Sequence, residues 1–156
     1  MAATWWKGNH EYYGGVDMHK FYRESGITLL IDSVIRIDSL IYLAGRNDQF
    51  AGDRITSQEL LGNITRDLPV ILLDNRPTES QEASLTATSI QFSGHTHGGQ
   101  LFPLHLITRQ VYELSRGYRK IRNTHFFVSS GLRLWGPPVK TAGKSEILLV
   151  DVLFVP

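Results

Sequence analysis

Pro69-Val70-Ile71-Leu72-Leu73-Asp74-Asn75-Arg76-Pro77 is the stretch that decides the fold. Val70 to Leu73 is an unbroken apolar run bracketed by prolines, and such a run predicts a short strand buried on both faces, as in a sheet covered by helices. On either side the pattern turns helical, around Ser57 to Ile64 and around Thr78 to Ala87, and the next apolar run, Ile90 to Ser93, predicts another strand. Strand and helix alternate, so the class is α/β.

Upstream, Thr4 to Lys7 reads as a strand that Gly8 breaks, which puts Asn9, His10 and Glu11 on a loop. Gly14-Gly15 releases a helical pattern from Val16 to Ser25, stopped by Gly26. Ile27 to Ile31, Val34 to Ile37 and Leu40 to Ala44 are β-branched-rich runs separated by Asp-Ser pairs, the pattern of adjacent antiparallel strands joined by tight turns. Downstream of the Gly94 to Gly99 loop come an apolar stretch, Leu104 to Leu114, and three predicted strands, Gly117 to Ile121, His125 to Ser129 and Glu146 to Val155.

With 156 residues, 42% of them hydrophobic and 20% charged, the chain has the size and composition of a single domain, residues 1–156. A formal net charge of +1 argues against a dedicated nucleic-acid binder, which would carry a large basic excess, and no nucleic-acid partner is predicted. Zero cysteines exclude a disulfide scaffold, a thiol nucleophile and Cys-rich zinc sites. Metal chemistry would therefore rest on His, Asn and carboxylates. Asp32 and Arg36 interrupt Ile27 to Ile37, and Asp151 interrupts Ile147 to Val155, so neither run supplies the roughly 18 apolar residues of a membrane span. The opening Met1-Ala2-Ala3-Thr4-Trp5-Trp6-Lys7 lacks the basic and apolar regions of a secretory signal, and a soluble, cytoplasmic protein is predicted.

Four of the six histidines, His10, His95, His97 and, less directly, His105, fall in or beside loops that follow predicted strands, where open α/β sheets bind their ligands. In Gly94-His95-Thr96-His97-Gly98-Gly99, two imidazoles two residues apart, freed by glycines, can present nitrogens to a metal without backbone crowding. The spacing alone fits a polar turn with incidental histidines equally well. Gly8-Asn9-His10-Glu11 shifts the balance, because an Asn oxygen can ligate a hard or borderline metal while an adjacent histidine donates a proton or neutralises phosphoryl charge. Alone it would be an Asn-containing turn. Together the two loops favour a shared site.

Gly8-Asn9-His10-Glu11-Tyr12-Tyr13-Gly14-Gly15, then Ser93-Gly94-His95-Thr96-His97-Gly98-Gly99-Gln100, then Ser130-Gly131-Leu132, Leu134-Trp135-Gly136-Pro137-Pro138 and Ser145-Glu146-Ile147 resemble the calcineurin-like metallophosphoesterases. The chain is most similar to their bacterial membrane-associated phosphodiesterase subgroup. The resemblance implies an αββα sandwich with two divalent metal ions (Mn, Fe, Zn or Mg) that hydrolyses phosphate mono- or diesters, lipid-linked substrates included. It makes Asn9 a ligand to the second metal, His10 the transition-state histidine, His95 a second-metal ligand and His97 a first-metal ligand.

Two departures matter. The Asp-x-His and Gly-Asp motifs that open the family would lie upstream of residue 1, so the chain looks like the C-terminal portion of such an enzyme. Asp48 and Asp53 do not replace them, since they flank Gly52 in what reads as a surface loop and stand in the wrong order. After Val70 to Leu73 the family places a ligating histidine, and Asn75 stands there instead. The metal set is then His97 for one ion and Asn9, His95 and the weaker Asn75 for the other, with no bridging carboxylate.

Arg109, Arg116, Arg119, Lys120 and Arg122 could attract an anion but read better as a solvated face. Trp135, in a Gly-Pro-Pro loop, is either an aromatic lip over the site or simple loop packing. Two function classes follow: a metal-dependent phosphoesterase of which this chain carries part of the site, or a non-catalytic or truncated remnant that binds a metal weakly or acts through protein contacts. An incomplete sandwich should leave an unpaired edge, with Thr4 to Lys7 and Val70 to Leu73 beside the gap, and should self-associate.

Overall fold

The computed structural model describes residues 3–13 and 18–153. Its main sheet has six strands in the order β3-β4-β5-β6-β8-β7, formed by β3 (Ser33–Ile37), β4 (Ile41–Gly45), β5 (Val70–Leu73), β6 (Thr88–Ser93), β7 (Gly117–Ile121) and β8 (Thr124–Val128). β4, β5, β6 and β8 are parallel, and β3 and β7 fold back antiparallel at the two edges. The alternation of side chains along β5 builds both cores. Val70 and Leu72 join Ala44 and Phe126 under Leu61 and Ala83, while Leu73 and Ile71 face the other way with Leu43 and Phe92 against Leu30 and Trp6.

The first core is covered by α3 (Ser57–Leu61) and α4 (Ser80–Ala83). Thr56 and Glu59 form a capping box that fixes where α3 begins. Over the second core lie β1 (Thr4–Trp6) and β2 (Thr28–Leu30), paired in parallel as a separate two-stranded sheet. Trp6 packs on the main sheet, while Trp5 stacks on Tyr22 of α2 (Met18–Glu24) at 6.0 Å. Helix, six strands, two strands and helix give the expected αββα order in reduced form. Each large side chain fully buried between these layers contributes about 1.5–3 kcal/mol.

Several local expectations are corrected. β2 does not continue antiparallel into β3: at Asp32, which takes a left-handed φ of 43°, the chain crosses from one sheet to the other, and only β3 and β4 form a hairpin, turning at Asp38 and Ser39. Asn9 to Glu11 are not all loop, because one helical turn, α1 (His10–Tyr13), starts directly after Asn9. α4 stops at Ala83, well short of Ala87, where the Ser84 and Thr86 hydroxyls donate to Gln81 and Ala83 carbonyls and compete with helix continuation. The apolar stretch after residue 103 is helix α5 (Leu104–Val111). Residues 146–153 form no strand; Glu146 is tied instead to Arg116 and the Ser130 amide. Positions 14–17 and 154–156, at the ends of two predicted elements, lie outside the described residues.

The expected edge is corrected at one of its two strands. Val70 to Leu73 is an interior strand between β4 and β6, whereas β1 pairs with β2 on one side only and keeps an open edge among the described residues. Among the described residues no helix is long and apolar enough to cross a membrane.

Candidate metal centre

Because β4, β5, β6 and β8 are parallel, the chain leaves all four at the same edge of the sheet, where loops can converge on one point. Residues 46–48 follow β4, 74–76 follow β5, 94–97 follow β6 and 129–131 follow β8. Asn9, just beyond β1, reaches the same place. Its Nδ2 donates to Tyr13 Oη at 3.4 Å, which turns Oδ1 toward the other loops, 3.1 Å from His95 Nδ1 and 3.1 Å from Asn75 Nδ2.

The β6 loop is held in an unfavourable shape. His95 and His97 both have left-handed φ values, 64° and 50°, and Gln100 has 29°, each costing about 1–3 kcal/mol and persisting only where the surroundings impose it. Thr96 donates from Oγ1 to the Ser115 carbonyl at 2.6 Å and accepts from the Gly98 amide at 3.2 Å. Gly99 is required, because φ is 79° and a Cβ would fall 2.2 Å from His105 Cα. Gln100, 3% exposed, donates from Nε2 to the Trp135 and Val139 carbonyls at 2.6 and 3.0 Å, with the Pro137 carbonyl also near at 3.2 Å, and accepts from the Trp135 amide, so it brings the Trp135 loop over the site.

A buried ionic network fixes the loops after β4 and β5. Arg54 grips Asp74 through Nη1 and Nη2 at 3.1 and 2.7 Å, and Arg46 Nη1 donates to Glu79 at 2.7 Å and Ser57 at 2.9 Å while lying 3.2 Å from Asp74. Next to it Asp48 accepts from Asn75 Nδ2 at 2.8 Å and from Arg76 Nη2 at 3.2 Å. Burial pushes the Asp48 carboxyl up, but hydrogen bonds from Asn75, the Phe50 amide and Arg76 outweigh it and hold the group below the usual carboxylate range. Burial, with Arg76 beside it, holds the His95 imidazole below its ordinary value, and burial with His10 does so for His97. Such imidazoles are deprotonated and ready to ligate near neutral pH.

His10 and His97 rings lie 6.4 Å apart on a cleft of about 300 Å³ that Asn9 and His95 also line. Leu101, Leu104, Tyr112 and Trp135 line it too, the Tyr112 ring 6.3 Å from that of His95. Against this geometry stand the similarities to known proteins. An uncharacterized metallophosphoesterase of Aquifex aeolicus is 32% identical over 153 residues, covering 93% of this chain and 58% of that protein. One of Helicobacter pylori is 31% identical over 156 residues, covering 94% and 41%. The chain belongs to the metallophosphoesterase family. A zebrafish (Danio rerio) transmembrane protein with metallophosphoesterase domain is 30% identical over 158 residues, covering 90% of this chain and 36% of that protein. The chain thus spans between 36% and 58% of the length of these relatives. No family model and no solved structure matches it.

For a metallophosphoesterase the donor set fits a cation in part. Asn9, His95 and Asn75 meet, His10 and His97 share the cleft with Asn9 and His95, and His97 Nδ1 is buried with no hydrogen-bond partner among the described residues, as befits an atom that awaits a ligand. Against this, among the described residues no group of three or more His, Cys, Asp or Glu converges to hold a metal, and Asn75 offers its NH₂ and not its oxygen to Asn9. Asp48 was expected on the surface and is 0% exposed beside Asn75, while Asp53 is exposed. Its signal was its place after a parallel strand, the same rule that marks His10 and His95. The Trp135 lip lines the cleft, and the basic run from Arg116 to Arg122 is solvent-facing apart from Ile121.

Proposed function

We propose that the chain is part of a metal-dependent phosphoesterase acting on phosphate mono- or diesters, with the residues described here supplying donors for one cation and the proton-handling histidine. The observation that carries this is the meeting of Asn9 and His10, after β1, with His95 and His97, after β6, on one cleft that apolar side chains also line. Asn9 Oδ1, His95 and His97 would hold metal; Mn, Fe, Zn and Mg all suit such donors. A bound divalent cation polarises phosphoryl oxygens and lowers the pKa of its water.

His10 is exposed at the cleft, where its ring can hand a proton to a departing alkoxide or balance phosphoryl charge. Leu101, Leu104 and Trp135 seat the organic part of an ester and shed water from it. A dinuclear centre needs carboxylates that the described residues do not bring to this cleft. That shortfall, and the Asn75 amide hydrogens directed at the donors, support the second class, a non-catalytic remnant.

Hydrolysis of an aryl phosphodiester in manganese separates the two. The chain alone should turn over far more slowly than a full-length relative, and a separate segment carrying the Asp-x-His and Gly-Asp motifs should restore activity. No gain on adding that segment favours the remnant. Full turnover by the chain alone contradicts the partial site.

A further inference from the structure

We propose that the lip of the cleft, formed by α5 and the loop that carries Trp135, is a docking surface for an anionic lipid bilayer, an inference that goes beyond the phosphoesterase reading and does not depend on it. Helix α5 buries none of its residues. Leu104, Ile107 and Val111 recur at three- and four-residue spacing along one side of it, and all three face solvent. Phe102, just ahead of the helix, and Leu134 and Trp135, on the loop, are exposed as well, and the six range from 40% exposed at Leu134 to 70% at Phe102. An amphipathic helix on a globular domain ordinarily turns its apolar stripe to the core. This one turns it outward.

The two halves of the lip are fastened to each other. The Phe102 amide donates to Thr141 Oγ1 at 2.8 Å, the Thr141 amide donates to the Gln100 carbonyl at 2.9 Å, and Gln100 Nε2 donates to the Trp135 carbonyl at 2.6 Å. Leu104 and Trp135 line the same cleft as His10, so the exposed apolar side chains stand beside its mouth. A bilayer seated on them would face the cleft with its headgroup layer.

Charge selects the occupant. Residues 94–112 and 131–145, which build the lip, contain no Asp or Glu. They do contain Arg109, Arg133 and Lys144, all exposed and none ion-paired among the described residues, whereas Arg116 and Arg119 are paired with Glu146 and Glu113. A second copy of the chain docked lip to lip would set these cations against themselves. An anionic bilayer accommodates both features: basic side chains are drawn to its headgroups, apolar ones enter the acyl boundary, and a tryptophan settles between the two.

The test is co-sedimentation of the purified chain with phosphatidylcholine vesicles, with and without phosphatidylglycerol, in buffer free of divalent metal, so that its outcome is independent of the metal-dependent reading. Binding to the anionic vesicles is expected, weaker to the neutral ones and reduced by salt. Ile107→Ser with Val111→Ser should weaken it by about tenfold or more, and Arg109→Gln with Arg133→Gln by about fivefold per charge. All four positions are exposed, and circular dichroism checks each fold. Leu149→Ser with Leu153→Ser, outside the lip, should leave vesicle binding unchanged. No binding to anionic vesicles, or parental binding by the Ile107 and Val111 variant, overturns the proposal. So does vesicle binding lost only in the Leu149 and Leu153 variant, or a lip whose Ile107 and Val111 substitutions abolish association of the chain with itself while vesicles are ignored.

Discussion

Asn9 Oδ1 and His95 Nδ1 lie 3.1 Å apart although 86 residues separate them. The contact joins the loop after β1 to the loop after β6, so two polar turns that are individually unremarkable act on the same point. It also fixes how the two-stranded and six-stranded sheets meet at their carboxyl ends. The Asn75 side chain lies against both partners.

Replacing Asn75 by His should tighten manganese or zinc binding by about tenfold, because an imidazole nitrogen is a stronger ligand than an amide oxygen and no longer directs hydrogens at Asn9. Calorimetry on the Asn75→His protein measures this. Unchanged affinity would mean that position 75 does not reach the ion.

Arg46 is 2% exposed and bridges Asp74, Glu79, Ser57 and the Ile55 carbonyl. Arg46→Met should cost about 3–5 kcal/mol in urea denaturation, since it leaves Asp74 half-paired in the interior. A loss under about 1 kcal/mol would show that Arg54 alone satisfies the network.

The fold class was legible because Val70 to Leu73 has no polar residue to expose, and the hairpin of β3 and β4 because Asp38-Ser39 interrupts two branched runs. The partner of β2 was not: Thr28 to Leu30 pairs with a strand more than twenty residues earlier, and local pattern carries no signal for such register. Asn9, His10, His95 and His97 were found from motif and loop position. Asp48 was missed because an Asp near Gly52 looks like a solvated turn, and only the buried Arg76 and Asn75 contacts reveal that it points inward.

Stability should fall in acid through the two histidines. Burial holds both His95 and His97 below the ordinary value of 6.5, so the unfolded chain binds more protons just below that pH. The contribution is complete above 6.5 and is lost as pH falls toward the folded-state values. Urea midpoints at about pH 7.5 and about pH 5.5 should differ, and the difference should shrink in a His95→Asn, His97→Asn double variant. A parent protein with equal midpoints contradicts this.

Ile147, Leu149 and Leu153 are 77%, 90% and 87% exposed, and Leu149 lies beside Phe92 and Trp6. Sedimentation should show concentration-dependent association that Leu149→Ser and Leu153→Ser together reduce. A monomer at all concentrations would remove self-association from the account.

Titrating manganese into the ¹⁵N-labelled chain tests the central claim most directly, because the paramagnetic ion broadens amide signals near it. The account predicts that Asn9, His10, His95 and His97 broaden first and together, ahead of the basic run at Arg116 to Arg122. Broadening at that basic run or at scattered carboxylates, with those four signals sharp, would contradict a shared metal centre at the carboxyl ends of the strands.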